Sequence, residues 1–226
     1  MYWVELHIHT ENGSLDSIMN LAELLEEYRR IGVDGVCVTE HVEWEKISFN
    51  QYEKLYSAFD YAEENNLDID IFPGAEVKLK HGEEYLVYGI KIPYEWFGMD
   101  WSEMINKVHE LGGIIIKSHP YRDEKQINPI DGIEKYNFCS NIIMNREACK
   151  FAKYHNALIE VVGCDAHSID VAGMAITVLK KRPENGIELV QLLKKKEVES
   201  YIIKGKKCSE EELYETIFDS SNDCGF

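Results

Sequence analysis

Residues 4 to 16 read VELHIHTENGSLD. His7 and His9 stand two positions apart in a strand-like stretch, so their imidazoles leave one face while Leu6 and Ile8 leave the other. Such a pair is either the decoration of a half-exposed strand or part of a metal site. Further acids and histidines recur at the ends of apolar stretches. Glu40 and His41 end GVCVTEH, Glu76 follows IFPGA, His119 follows IIIKS, and Asp165 and His167 follow IEVVG. One histidine after an apolar strand is ordinary. Five strands each ending in His, Asp or Glu are hard to explain as chance, because in a parallel barrel all strands finish on one face. Neutral imidazoles mixed with carboxylates suit zinc, manganese or iron. A structural zinc site closes on four ligands and usually uses cysteine, whereas this set has too many donors for one ion. Two or three ions close together are expected, an arrangement that activates water for hydrolysis.

Elements able to position these residues alternate along the chain. VELHIH reads as a strand and SIMNLAELLEEYRRIG as a helix, with Ile18, Leu21, Leu24, Leu25 and Tyr28 on one face. The strands VDGVCVTEH, LDIDIFPGAEV, EYLVYGIKI, GGIIIKSHP, GIEKYN and ALIEVVGCDAH follow, with helical patterns in NQYEKLYSAFDYAEENN, WSEMINKVHELG and NREACKFAKYHN. GIELVQLLKKKEV and ESYIIKG close the series with a helix and a short strand. This rhythm predicts an α/β fold with a mainly parallel sheet, and it suits a barrel at least as well as an open doubly wound sheet. Residues 1–207 are expected to form one domain, and 208–226 an acidic tail with a short helix and a loose end.

Composition narrows the partners. The 226 residues carry 41 acids against 24 bases, a net charge of −17, which disfavours long nucleic acid. A small phosphorylated substrate at a local positive site is compatible with that field. The longest apolar run, in GIIIK, is far too short to span a membrane, and MYWVELHIH enters a strand without a secretory pattern. Six cysteines without CxxC spacing read as reduced packing residues of a cytoplasmic protein.

The segments ELHIHT, TEH, PGAE, SHPYR and GCDAHS, in this order, resemble the DxHxHT, TDH, GxE, AHP and GSDAH patterns of the PHP (polymerase and histidinol phosphatase) family. The likeness spans roughly residues 3 to 180, and IEKYN, NREACKFAKYHN and AGMAITVL fit as well. It implies a distorted (β/α)7 barrel with a metal centre at the C-terminal ends of the strands, hydrolysing phosphoesters through a metal-activated water. By resemblance, His7, His9, Glu76 and Asp165 would hold one ion, and Glu76 would bridge to a second held by His119. Asp16, His41 and His167 would hold a third, with Glu11 as the alternative acid and a helix N-cap as the other role open to Asp16.

The chain departs from the family at three places. Glu5 and Glu40 replace aspartates, and Glu5 is expected to orient an imidazole from the second layer. Tyr85 falls at about the place where many members carry a histidine, which leaves the second ion short of a ligand; His81 is nearby, in a loop. Catalysis is expected to rest on Arg122, His119 and Asp165. Arg122 would grip phosphate, its other reading being a salt bridge to Asp123 or Glu124. Lys78, Lys80 and Lys117 are weaker phosphate candidates, and His109 and His155 read as structural. The expected function is hydrolysis of a small phosphate ester. A catalytically silent PHP module and a phosphodiesterase acting on short oligonucleotides are the alternatives.

Overall fold

The structure, a computed structural model, describes residues 1–65, 67–122, 127–156 and 158–218. Among these, the strands are β1 (Tyr2–Ile8), β2 (Gly35–Val38), β3 (His41–Glu43), β4 (Asp70–Lys78), β5 (Glu84–Tyr88), β6 (Ile114–Lys117), β7 (Gly132–Asn137), β8 (Ile159–Gly163), β9 (Ala175–Leu179), β10 (Val198–Ile203) and β11 (Lys206–Cys208). The α-helices are α1 (Leu21–Ile31), α2 (Phe49–Leu55), α3 (Ser57–Glu64), α4 (Trp101–Glu110), α5 (Ile142–Tyr154), α6 (Gly186–Lys194) and α7 (Glu210–Phe218).

The strands pair in the order β11-β10-β9-β1-β2-β4-β5-β6-β7-β8, with β3 added beside β4. The sheet curls until β8, at one end, comes against β1. The amide of Asp165 donates to the carbonyl of His7 at 2.8 Å, and the amide of His9 donates to that of Ala166 at 3.0 Å. His7, His9 and Asp165 are therefore tied together by backbone before any side chain is considered.

The sheet is mixed, which corrects the expectation of a mainly parallel one. β1–β2–β4 and β6–β7–β8 are parallel, but β5 is antiparallel to both β4 and β6, and β9, β10 and β11 pair antiparallel. The physical reason is the direct β4–β5 turn, which includes Gly82 at φ 90° and is too short for the crossover a parallel neighbour needs. A strict strand–helix alternation is thus interrupted here.

Smaller corrections follow from local chemistry. Ile18 is 80% exposed, because Asn20 caps α1 with bonds to the amides of Ala22 and Glu23 and the helix begins after it. Asp16 is therefore not the N-cap. The helix expected over residues 50–66 breaks at Tyr56 into α2 and α3. β2 stops at Val38, so His41 opens β3, and Glu76 lies within β4 rather than at its end. Past position 207, β11 runs on to Cys208, and α7 packs against the curled sheet through buried Leu213 and Ile217; residues 219–226 lie outside the described part.

Period-2 alternation positions the interior. On β5, Leu86 and Tyr88 face Leu6, Ile114 and Ile116, while Tyr85 and Val87 pack outward against Met104 and Val108 of α4. Glu84 shares the inward parity. Among the described residues no helix is long and apolar enough to cross a membrane, and the cysteines described are free.

Candidate metal centre

His7, His9, Glu76 and Asp165 converge at the end of the curled sheet with side chains 0–2% exposed. His7 Nε2 lies 3.3 Å from Glu76 Oε2 and 3.5 Å from Asp165 Oδ1. His9 Nε2 lies 3.3 Å from each of the same two oxygens. All four atoms are buried without a well-directed hydrogen bond, the nearest further group being His41 Nδ1 at 3.0 Å from Glu76 Oε2, and such a condition is costly unless something else satisfies them. A tetrahedron with metal–ligand bonds of about 2.1 Å has edges of about 3.4 Å, so the quartet has the spacing of a cation cage. Donor chemistry and geometry both fit a divalent ion.

The ring orientations are set from behind. His7 Nδ1 lies 2.9 Å from Glu134 Oε1, and the other oxygen of Glu134 accepts the His119 amide at 2.8 Å and Asn137 Nδ2 at 3.0 Å. Gly163 makes room for this: a Cβ there would meet Glu134 Oε1 at 2.3 Å and the His7 Cβ at 2.5 Å. His9 Nδ1 lies 3.2 Å from Ser14 Oγ, which donates to Glu40 Oε2 at 2.6 Å and accepts the His41 amide at 3.0 Å. Both imidazoles are thereby held with Nε2 toward the centre. Glu40 fastens the loop by also bonding the Thr10 hydroxyl and its amide.

Two further groups share this core. His119 Nε2 lies 2.9 Å from Glu76 Oε1 and 3.4 Å from Glu84 Oε2. His9, His41 and His167 form the other, with His41 Nε2 and His167 Nε2 3.2 Å apart. Asp16 Oδ2 reaches those two nitrogens at 3.5 and 3.6 Å, whereas Glu11 accepts from the Asn20 side chain. His119 and Asp165 have φ of 21° and 57°, unfavourable backbone that concentrates at sites where side-chain aim matters.

Electrostatics without an ion shows what the site lacks. Burial disfavours a charged His7, but Glu134, Glu76 and Asp165 outweigh it and hold its pKa well above the ordinary value. His9 is likewise raised to about 9, burial being outweighed by the nearby carboxylates of Asp165 and Glu76. Burial works against ionised Glu76 and Asp165, yet the histidines facing them bring both below the usual carboxylate range. Protons thus occupy the position that suits a cation, and a binding ion would release them.

Sequence reading missed Glu84 and Glu134. Glu84 precedes Tyr85, whose side chain packs outward and donates its hydroxyl to the Asn128 carbonyl at 3.1 Å. Glu134 was legible only as an acid within the strand pattern GIEKYN. Glu5 also corrects its expectation: it accepts the amides of Leu6, His7 and Cys164 and orients backbone, while Glu134 orients the imidazole. Burial pushes Glu5 up to about 7.

Arg122 bonds Asp165 Oδ2 at 2.5 Å, with Asn137 and Ser140 at 3.3 Å each, and is 32% exposed. Its other reading involved Asp123 and Glu124, which lie outside the described residues. His81 sits in the exposed β4–β5 turn, His109 bonds Asp131 at 2.8 Å, and His155 closes α5. A cleft of about 780 Å³ opens beside the centre, lined by Asp16, His41 and Glu84 together with Leu15, Lys46 and Lys78.

Comparison with known proteins agrees with this architecture. A two-domain protein from Bacteroides vulgatus, described as containing a predicted PHP-like metal-dependent phosphoesterase, superposes with a TM-score of 0.70 at 18% identity, covering 96% of this chain and 69% of that one. PsfC from Pseudomonas syringae gives 0.58 at 17% identity, covering 89% and 91%. An amidohydrolase from Chromobacterium violaceum, solved with sulfate and without metal, gives 0.55 at 12% identity, covering 87% and 97%. These likenesses establish the fold. No curated protein matches in sequence. The PHP domain pattern matches residues 5–219, nearly the whole chain, and the protein belongs to the PHP domain family.

Proposed function

We propose that this chain is a metal-dependent phosphoesterase that hydrolyses a small phosphate ester, using two or three divalent ions drawn from manganese, zinc and iron. The observation that carries the reading is the set of four buried, partnerless donor atoms at cage spacing, with two more donor groups sharing Glu76 and His9. Divalent ions bound there would lower the pKa of a water and withdraw charge from phosphoryl oxygens.

The chain's own residues supply the rest. His7, His9, Glu76 and Asp165 bind, and His119, His41, His167 and Asp16 extend the site toward the cleft. Glu134 and Ser14 keep the ring nitrogens aimed. Arg122 is fixed through Asp165 Oδ2 and remains partly exposed, so its guanidinium stands as a permanent charge at the rim, suited to a phosphoryl oxygen. The net charge of −17 favours small esters over polyanions.

The test combines elemental analysis of purified protein with a panel of phosphomonoesters, phosphodiesters, lactones and uncharged esters. At least two ions per chain are expected, with phosphoester hydrolysis abolished by chelation and restored by metal. Full activity with less than one ion per chain would sink the multinuclear reading. Bound ions without any hydrolysis would make the chain a silent module, and cleavage of lactones alone would change the reaction class.

A further inference from the structure

Glu84 sits on β5 directly opposite Lys78 of β4. Its two oxygens face different partners. Oε2 lies 3.4 Å from His119 Nε2, within the group formed with Glu76, and Oε1 lies 2.8 Å from the Lys78 ammonium. We propose that the second ion of the centre is held by Glu84 with Glu76 and His119, and that Lys78 competes with this ion for the Glu84 carboxylate. The second position is then the exchangeable one.

Three contrasts support this. The quartet offers four donor atoms and this group three, so one weakened carboxylate matters more here. Glu76 is fully buried with Oε2 partnerless, so a carboxylate able to bridge is already aimed into the centre. Lys78 is 51% exposed and lines the open cleft, so its ammonium can swing into water when a dication arrives; Arg122, the cation on Asp165, is 32% exposed. A lysine is a flexible point charge, suited to such displacement. Repulsion between the ammonium and a dication weakens binding without removing a ligand.

The inference rests on the metal-dependent reading above, and its test separates the two. Full-length protein stripped with chelator is titrated with Mn²⁺ alone and with Zn²⁺ alone, read by calorimetry and by the paramagnetic signal of free Mn²⁺. Glu84→Gln should remove one binding step. Lys78→Met should tighten that same step about tenfold and leave the tightest step within about twofold, as one unit charge near a dication predicts in a high-dielectric cleft. Lys78→Arg, which keeps the charge, should titrate like the wild type. The gain from Lys78→Met should vanish in the double variant with Glu84→Gln. Thermal melts followed by circular dichroism check that each variant folds. If Glu84→Gln keeps every step and Lys78→Met changes none, the assignment of Glu84 and Lys78 is wrong while the metal centre stands. If the wild type binds neither ion, both readings fall.

Discussion

Glu134 and Lys135 are neighbours on β7, both buried and both charged types, yet their surroundings differ in kind. Lys135 faces outward, where its ammonium bonds Glu160 at 3.0 Å and Glu210 of α7 at 2.7 Å beneath the rings of Tyr201 and Tyr214. That cluster is complete. Glu134 faces the centre, and the histidine that it orients points a partnerless nitrogen at three other partnerless atoms. A buried ion pair closed on itself is a structural device, whereas a buried set that leaves its donors unmet is arranged for a cation from outside. One strand thus carries a latch on one face and support for chemistry on the other.

The sharpest way to break this comparison is to remove a donor. Asp165→Ala should lose ion content and phosphoester turnover together, by at least about 10³-fold in rate, since a ligand and the anchor of Arg122 disappear at once. Turnover and metal content equal to the wild type would remove the quartet from the mechanism. Arg122→Ala should slow turnover roughly 10²–10³-fold with metal content unchanged, and Arg122→Lys should recover only part of this because the planar fork is lost. An unchanged rate and KM in Arg122→Ala would reduce the arginine to a partner of Asp165.

On the other face of β7, Lys135→Met should destabilise the fold by about 2 kcal/mol, less than breaking a fully buried pair because Glu210 is 57% exposed and Glu160 keeps Lys196, while ion content stays constant. Urea unfolding beside elemental analysis measures both. Loss of ions at unchanged stability would invert the assignment of the two faces.

Glu5 gives a pH-dependent test in chelated protein. Its pKa in the fold is raised from 4.5 to about 7, so the fold favours the protonated acid. This contribution is fully present below the unfolded pKa and is lost as pH rises toward 7. Glu5→Gln, neutral throughout, should therefore gain on the wild type between those limits, by roughly 3 kcal/mol on the plateau above pH 7. A difference that stays level from pH 4 to 8 would show that the fold does not raise the Glu5 pKa. Smallest, Glu134→Gln should weaken the tightest ion by about 10–100-fold, the usual effect of losing a carboxylate behind a ligating histidine. Unchanged affinity by calorimetry would mean that His7 is aimed by packing alone.

Much of the centre was legible because strand chemistry is local. Apolar runs ending in His or acid mark strand ends, and period 2 puts His7 and His9 on one side. The α/β class followed from the alternation of element types, and the five motifs led to the PHP family. The direction of β5 was less visible, since a hairpin and the opening of a crossover look alike until the next strand is placed. Glu84 and Glu134 escaped for a related reason: alternation defines two faces of a strand but does not say which one the curled sheet turns inward.

The sequence by itself determined which residue types could ligate an ion, the strands that carry most of them, and an acidity that repels polyanions. Only the tertiary structure decided that β8 curls round to β1 and so joins His7, His9 and Asp165, that Asp16 rather than Glu11 lies beside His41 and His167, and that Glu84 stands between an ion position and Lys78. The reason is physical. Ligand chemistry belongs to the residue, but the unmet donors that make a cage exist only once distant strands close around them and exclude water.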